Sequence, residues 1–329
     1  MSITRPTGRR ALLVAAALIP VTARAQAPAG GAPRPRFQSL SVFVPANPGG
    51  GWDGLGRAVE QAARTAGLVG SFQFENVGGA GGTVGLPRFL NTRRGRSDAL
   101  LVSGAAMVGA TLTNRTPVSL NDCVPIARMT DESAVIVVPA DSAFRTIGDL
   151  VAALRADARA VPVAGGGVGT TDHVAFALML RALGKSVRDA SFVAFPGGGP
   201  AQAAVIGGQV KAGIAGWSEF SEQARAGRVR LLATTGERRV DPAVPTLRES
   251  GLDVVSTNWR GLFGPPGLTP AARTALMEFA TELHASAPWQ AILAERGWDD
   301  SFLTGEAFEA FLARDRADTE TVLKELGLA

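Results

Sequence analysis

Apolar runs and apolar faces at helical spacing alternate along the chain. The run at 40–44 is apolar at four of five positions and predicts a buried strand. The next apolar residues recur at i, i+4, i+7, i+8 and i+11, which is one face of a helix, and they are Leu55, Val59, Ala62, Ala63 and Ala66. The stretch between the run and the helix therefore predicts a strand-to-helix loop.

The same alternation continues to the end of the chain. Further strands are predicted at 72–75, 99–102, 124–129, 134–138, 161–164, 192–195, 210–215 and 229–233, with an extended segment at 254–264. Further helices are predicted at 86–91, 147–154, 174–183, 201–206, 271–285, 289–296 and 306–326, and 241–252 predicts a turn with a short helix. This pattern indicates an α/β fold with doubly wound sheets.

The length of 329 residues allows two domains. The strand–helix rhythm restarts after 138, which predicts two lobes joined by crossings near Pro139 and Val255. Lobe 1 is predicted at 37–139 together with 255–329, and lobe 2 at 140–254.

Four glycine-rich loops, at 48–51, 78–82, 165–169 and 197–199, each follow a predicted strand and precede a predicted helix. Ligands of open α/β sheets bind beside such loops. Glycine lets a ligand approach the backbone, and a helix N-terminus suits an anion. The loops are either a shared binding cleft or only tight turns, and we favour the cleft for a small carboxylate.

The residues beside these loops supply the candidate contacts. Small polar side chains can donate hydrogen bonds, and two aromatic rings can wall the cleft. His173 is either a neutral donor or a packed helix-start residue, and Asp53 is either a helix cap or a polar contact. The predicted ligand-binding set is Asn47, Gly50, Gly51, Trp52, Asp53, Gly79, Ala80, Gly81, Thr83, Ser103, Gly104, Thr170, Thr171, His173, Phe195, Gly198, Gly199 and Ser218.

The four loops contain no Arg or Lys, so we expect neutral donors to hold the carboxylate and affinity to depend weakly on salt. The two histidines lie far apart and in no metal-ligand spacing, and no metal, cofactor or catalytic residue is predicted. Cys123 is the only cysteine and is expected to be a small buried residue.

The first 25 residues predict an export signal. Arg9 and Arg10 precede an apolar stretch at 11–20, and a small-x-small cleavage pattern ends at Ala25. An incomplete twin-arginine match leaves the export route open, with the ordinary secretory route favoured. Residues 26–36 predict a flexible tail. Removing the signal takes the formal net charge from +4 to zero, so charge gives no case for a nucleic-acid partner.

Several motifs together resemble the substrate-binding proteins of tripartite tricarboxylate transporters, the TctC or Bug family. They are Pro45-x-x-Pro48-Gly49-Gly50-Gly51-x-Asp53, Asn76-x-x-Gly79-Ala80-Gly81-Gly82, Gly169-Thr170-Thr171-x-His173, Phe195-Pro196-Gly197-Gly198-Gly199-Pro200-Ala201, Gly208-Gln209-Val210, Val244-Pro245-Thr246-Leu247-x-Glu249-Ser250-Gly251 and Trp259-x-Gly261-Leu262. Each motif alone is weak, but their order along the mature chain is specific.

The resemblance implies a two-lobed periplasmic-binding-protein architecture of type II and a monomeric periplasmic receptor. Its lobes would close on a di- or tricarboxylate, an acidic amino acid or an aromatic acid. The receptor would then deliver the solute to a membrane permease. Phe195 stands where the family often has Tyr, and Trp52 occupies a variable position, which leaves the solute open.

Two other functions are compatible with parts of the sequence. Gly49-Gly50-Gly51-Trp52-Asp53-Gly54 fits G-x-G-x-x-G, and Glu75 ends the next predicted strand, as in a dinucleotide-dependent oxidoreductase. Two prolines stiffen that turn and Asp53 would face the pyrophosphate, so we expect no enzyme. A solute sensor for a membrane signalling partner would have the same cleft as a transport receptor, and the sequence does not separate the two.

Overall fold

The computed structural model describes Met1 and residues 35–329. The rest of the predicted export signal and residues 26–34 of the predicted tail lie outside this described part. The strands are β1 (Phe37–Val44), β2 (Val69–Asn76), β3 (Ala99–Gly104), β4 (Val124–Asp131), β5 (Ala134–Pro139), β6 (Val163–Gly165), β7 (Phe192–Ala194), β8 (Ala212–Gly216), β9 (Val229–Thr234), β10 (Arg260–Gly264) and β11 (Asp299–Thr304). The α-helices are α1 (Gly51–Thr65), α2 (Gly85–Thr92), α3 (Ala105–Thr113), α4 (Ile147–Ala156), α5 (Thr171–Ala182), α6 (Gly198–Ile206), α7 (Trp217–Arg225), α8 (Pro270–Ala285), α9 (Ala287–Arg296) and α10 (Gly305–Glu325).

The first sheet has six strands in the order β11-β4-β10-β3-β1-β2. β1 runs parallel to β2 and β3, whereas β10 runs antiparallel to β3 and β4. β3 is buried along its whole length, because helices cover both faces of a central strand of this kind. The predicted apolar face of α1 is buried in the same core, through Leu55, Val59, Ala62 and Ala63.

The second sheet has five strands in the order β7-β6-β8-β5-β9. β6 runs parallel to β7 and β8, and β5 runs antiparallel to both β8 and β9. Its strands bury side chains in two separate apolar clusters, one containing Ile136 and Phe176 and the other containing Val137 and Phe220. Since Ile136 and Val137 are neighbours in β5, the two clusters lie on opposite faces of the sheet.

The two sheets confirm the predicted α/β fold with two lobes, and each sheet is mixed rather than purely parallel. The boundary predicted at 139 needs correction together with the crossing near Pro139, whereas the boundary near Val255 stays a prediction. β5 belongs to the second sheet, so the chain changes sheet between β4 and β5, at Glu132 and Ser133. It returns between β9 and β10, where Asn258 N donates to Glu132 O at 2.8 Å. The two crossing segments therefore run side by side.

Three elements were not predicted, and the reasons are local. α3 is apolar nearly all round, so it shows no helical face. α7 carries only two large apolar residues, Trp217 and Phe220, and β11 begins with two aspartates at a sheet edge. The short helix predicted within 241–252 is a turn. Across residues 35–329, no helix is both long and apolar enough to span a membrane.

Candidate functional site

The four glycine loops meet in one cleft between the two sheets. The loops after β1 and β2 come from the first sheet, and those after β6 and β7 come from the second. They line a cavity of about 50 Å³, which is room for a few water molecules. Its lining residues are Pro45, Ala46, Gly50, Gly51, Trp52, Gly79, Gly81, Gly82, Ala106, Gly166, Thr170, Thr171, Asp172, Pro196, Gly197, Gly198, Glu219, Asn258 and Arg260.

The loops touch across the cleft, so the lobes are closed. Asn47 N donates a hydrogen bond to Pro196 O at 3.3 Å, from one lobe to the other. A Cβ atom added to Gly50 would lie 2.9 Å from Gly198 N, which is too close for any side chain. The glycines of these loops are therefore required for closure, beyond the tight turns that they form.

Three helices begin at the cavity. α1, α5 and α6 start at Gly51, Thr171 and Gly198, all of which line it. None of the three residues before these helices caps its helix with a side chain. Because the first N–H groups of a helix lack partners within the helix, these ends offer free donors and partial positive charge to an anion. Three uncapped helix starts therefore converge on this cavity.

A buried arginine lies at the base of the cleft. Arg260 opens β10, and its side chain is only 1% exposed. Its Nη1 atom donates to Glu132 at the first crossing, and its Nη2 atom lies 3.7 Å from Glu219 Oε1 on α7. A Cβ atom on Gly51 would lie 2.7 Å from the Cζ atom of Arg260. The guanidinium therefore sits directly under the start of α1.

This arginine adds a charged donor to a cleft for which the four loops predict only neutral donors. Arg260 lies outside the four loops, in the segment that returns from the second sheet. Arg260 occupies the unspecified position of the Trp259-x-Gly261 motif. Its only signal in the sequence is a charged residue beside an otherwise apolar strand. Neither Glu219 nor Asp172 belongs to the predicted ligand-binding set, since the sequence around each is typical of an ordinary polar residue near a helix start.

Three buried carboxylates surround Arg260. Burial raises the pKa of Glu219 to about 8, with Asp172 and Glu132 adding repulsion and Arg260 opposing them. Burial also raises the pKa of Asp172 to about 6, against hydrogen bonding from Gly166 N at 2.8 Å and attraction by Arg260. The cluster therefore holds more potential negative than positive charge, and protonation relieves part of the imbalance.

Eight residues of the predicted ligand-binding set line the cavity. They are Gly50, Gly51, Trp52, Gly79, Gly81, Thr170, Thr171 and Gly198. Their contact with a ligand stays a prediction. The other ten lie beside or behind the lining and are Asn47, Asp53, Ala80, Thr83, Ser103, Gly104, His173, Phe195, Gly199 and Ser218.

Asp53 is neither a helix N-cap nor part of the lining. It stands in the third position of α1, where its carboxylate accepts from Gly49 N at 3.1 Å and from Asn76 Nδ2 at 3.0 Å. An acidic group in the first turn of a helix is favourable. Asp53 therefore stabilises the first loop from behind.

His173 also supports a loop from behind. Its Nδ1 atom accepts from Gly169 N at 3.1 Å, and its ring stacks on Phe192 with the ring centres 4.4 Å apart. Burial lowers its pKa to about 4, so the ring is neutral near pH 7. This arrangement matches the interpretation of His173 as a packed helix-start residue.

The remaining polar candidates outside the lining are occupied by other contacts. Ser218 Oγ accepts from Trp298 Nε1 at 3.1 Å, and Ser103 Oγ donates to Met107 Sδ at 3.3 Å. Thr83 Oγ1 donates to Ala80 O at 2.8 Å. Phe195 packs on the apolar cluster of the second sheet that contains Val137 and Phe220, and it does not line the cavity.

The backbone candidates lie close to the cleft without lining it. Asn47 joins the lobes through its backbone, as described above. A Cβ atom on Gly199 would lie 3.2 Å from Gly49 C, so Gly199 belongs to the contact between loops. Gly104 packs against the backbone of Trp259.

Glu75 and the groups of possible metal ligands bear on the two other kinds of ligand, a dinucleotide and a metal ion. In the part of the chain that the structure describes, no group of three or more His, Cys, Asp or Glu side chains is placed to hold a metal ion. Glu75, the candidate for a ribose contact, pairs with Arg88 at 2.6 Å and with Arg93. Its carboxylate is therefore engaged on the surface of the first sheet.

The chain is similar to known proteins over most of its length. The family model described as the tripartite tricarboxylate transporter family receptor matches residues 57–328. The protein BugT of Bordetella pertussis is 26% identical over 294 residues, which cover 88% of this chain and 89% of BugT.

Solved structures show the same fold. The periplasmic binding protein BugD superposes with a TM-score of 0.80 at 22% identity, covering 89% of this chain and 99% of BugD. MatC from Rhodopseudomonas palustris, solved with bound malate, superposes with a TM-score of 0.75 at 23% identity, covering 87% of this chain and 98% of MatC.

Proposed function

The chain belongs to the tripartite tricarboxylate transporter receptor family, and we propose that it captures a small carboxylate between its lobes and delivers it to a membrane permease. In this proposal the protein acts outside the cytoplasm, in the periplasm, as a monomer and without catalysis. The periplasmic binding protein BugD shares its fold, and MatC, which shares it too, was solved with malate.

One observation carries the proposal. The starts of α1, α5 and α6 converge on one cavity whose base holds the buried side chain of Arg260. Free backbone N–H groups and a guanidinium are the donors that suit a carboxylate. Because these donors come from both lobes, a carboxylate bound among them would stabilise the closed arrangement.

A thermal-shift panel on the mature protein tests the proposal. The panel contains citrate, succinate, malate, tartrate, glutamate, nicotinate, terephthalate and NAD(P). A ligand at about 1,000 times its Kd adds roughly 4 kcal/mol to the stability, which for a chain of this size is a rise of about 6 °C in Tm. We expect a rise with one or a few carboxylates and none with NAD(P).

A rise with NAD(P) alone would instead support the exported oxidoreductase. Once a solute is known, co-purification of the solute-loaded receptor with a membrane permease would test delivery. Capture of a sensor kinase instead of a permease would favour the signalling alternative.

A further inference from the structure

Buried polar atoms at the base of the cleft lack partners, and the residues that carry them all line the same cavity. The Oε2 atom of Glu219 and the Oδ1 atom of Asn258 accept no hydrogen bond from any described residue. The Nε and Nη2 atoms of Arg260 donate none. The Glu219 and Arg260 side chains are only 9% and 1% exposed. Buried polar atoms are nearly always paired, so unpaired ones at a cavity point to a missing ligand.

The unpaired atoms fall into two complementary sets. The Nε and Nη2 atoms form one edge of the Arg260 guanidinium, which binds a carboxylate through two parallel hydrogen bonds. Glu219 Oε2 and Asn258 Oδ1 are acceptors, and an ammonium group offers three donors. Asn258 and Arg260 are two positions apart in an extended segment, so their side chains share a face. The base of the cleft thus presents a carboxylate site beside an ammonium site.

The charges of the cluster favour the same kind of solute. Asp172, Glu219 and Arg260 are the charged residues that line the cavity within the described chain, and Glu132 already pairs with Arg260. A dianion would add two negative charges to a cluster whose three carboxyl groups already outnumber its one arginine, which is unfavourable. A solute that brings a positive charge would balance the cluster, and a purely anionic analogue would be rejected.

We propose that the solute is a short aminocarboxylate, with its protonated amine on Glu219 and Asn258 and its carboxylate on the unpaired edge of Arg260. This inference rests on the proposed function and narrows its ligand class. The Nη2 atom of Arg260 lies 3.7 Å from Glu219 Oε1, so the amine and the carboxylate must be close together. An α-amino acid has that arrangement, with its side chain directed toward the glycine loops.

A protonated Glu219 could instead donate to the second carboxylate of a dicarboxylic acid. Measuring proton release on binding distinguishes this solute from an aminocarboxylate. Glu219 faces Arg260 on β10, Asp172 on α5 and Glu132 at the crossing. Its pKa of about 8 means that it is mostly protonated at pH 7 when the cleft is empty. An ammonium group would drive this proton off, whereas a second carboxylate would retain it.

The experiment is isothermal titration of the mature protein at pH 7 in two buffers of different ionisation enthalpy. The probes are pairs that differ by an α-amine: alanine and propionate, aspartate and succinate, phenylalanine and 3-phenylpropionate. We expect the tighter-binding pair to favour its amine-bearing member by at least tenfold, with release of close to one proton. Glu219→Gln should bring the ratio near one, while Glu222→Gln, on the exposed face of the same helix, should leave it unchanged.

Each outcome decides the matter. Equal or tighter binding of the amine-free acids, or binding without proton release, overturns this inference and leaves the carboxylate receptor standing. Failure of every pair and of every acid in the thermal-shift panel overturns both proposals. Proton release is measured on the wild-type chain, so the test does not depend on the folding of the variant.

Discussion

The Nη2 atom of Arg260 lies 3.7 Å from the Oε1 atom of Glu219, and the two residues belong to opposite lobes. Arg260 opens β10 of the first sheet, and Glu219 lies on α7, which packs against β8 and β9 of the second. The pair therefore connects the lobes at the base of the cleft. Charges buried between the lobes make closure sensitive to what fills the cavity, because some of their polar atoms have no hydrogen-bond partner among the described residues.

Replacing Arg260 by Lys should weaken solute binding by about 10- to 100-fold, since one paired hydrogen bond to a charged group is worth about 1.5–3 kcal/mol. Lys retains the positive charge but loses the planar edge that binds two oxygens. Calorimetric titration of the solute found in the thermal-shift panel measures the loss. Arg225→Lys, at the exposed end of α7, is the control, and an unchanged affinity in Arg260→Lys would remove Arg260 from the site.

Glu219 should contribute a loss of stability to the empty protein as the pH rises from about 4.5 to about 8. Burial raises the folded pKa of Glu219 to about 8, so in this range the folded chain holds a proton that the unfolded chain has lost. The amide side chain of the Glu219→Gln variant does not titrate. We expect the free energy of unfolding of the variant to rise relative to that of the wild type by about 2–4 kcal/mol across this range. Urea unfolding at pH 5 and pH 8 measures the difference, and parallel profiles would contradict it.

His173 should contribute in the opposite direction. Burial lowers its folded pKa to about 4, so between about 4 and 6.5 the unfolded chain binds a proton that the folded chain does not. Stability from His173 is therefore lost as the pH falls through this window. The variant His173→Asn keeps an acceptor for Gly169 N, and its loss of stability between pH 6.5 and pH 4.5 should be smaller by about 2 kcal/mol. An equally steep loss in the variant would mean that His173 titrates normally.

Gly81→Asp should abolish solute binding while the protein stays folded. Gly81 has φ +64°, and a Cβ atom there would lie 2.6 Å from Ala110 Cβ and 3.0 Å from Thr170 Cγ2 across the cleft. The side chain would block closure and place a negative charge beside the carboxylate. Gly67→Asp is the control, because Gly67 has φ +70° and open space around it. Retained affinity in Gly81→Asp would show that the cleft has been misplaced.

The order of elements and the four loops could be predicted because their signals are local. Apolar periodicity marks strands and helices, and glycines such as Gly50 and Gly81 stand where strand passes into helix. The lining residues among the predicted set, including Trp52 and Thr170, follow from the rule that ligands bind beside these loops. Elements with a weak apolar pattern, such as α7, escaped prediction for the same reason.

The charged base of the cleft could not be predicted, because it exists only in the folded chain. Glu132, Asp172, Glu219 and Arg260 are separated by about 40 residues each along the sequence. Each one alone reads as a solvated charge, and Glu219 lies on the helix that the pattern missed. The two crossings and the antiparallel pairing of β10 bring the four together, and neither feature has a local signature.

Calorimetric titration of two glycine variants tests the central claim most directly. A Cβ atom on Gly51 would lie 2.7 Å from Arg260 Cζ, whereas one on Gly54, a turn further along α1, would make an ordinary contact at 3.5 Å with Arg296 Nη1. If the solute binds where α1 begins above Arg260, Gly51→Ala should lose at least about 100-fold in affinity, or about 2.7 kcal/mol. Gly54→Ala should bind one solute per chain with unchanged affinity and gain roughly 0.5–1 kcal/mol in stability. Wild-type affinity in a folded Gly51→Ala protein would contradict the account.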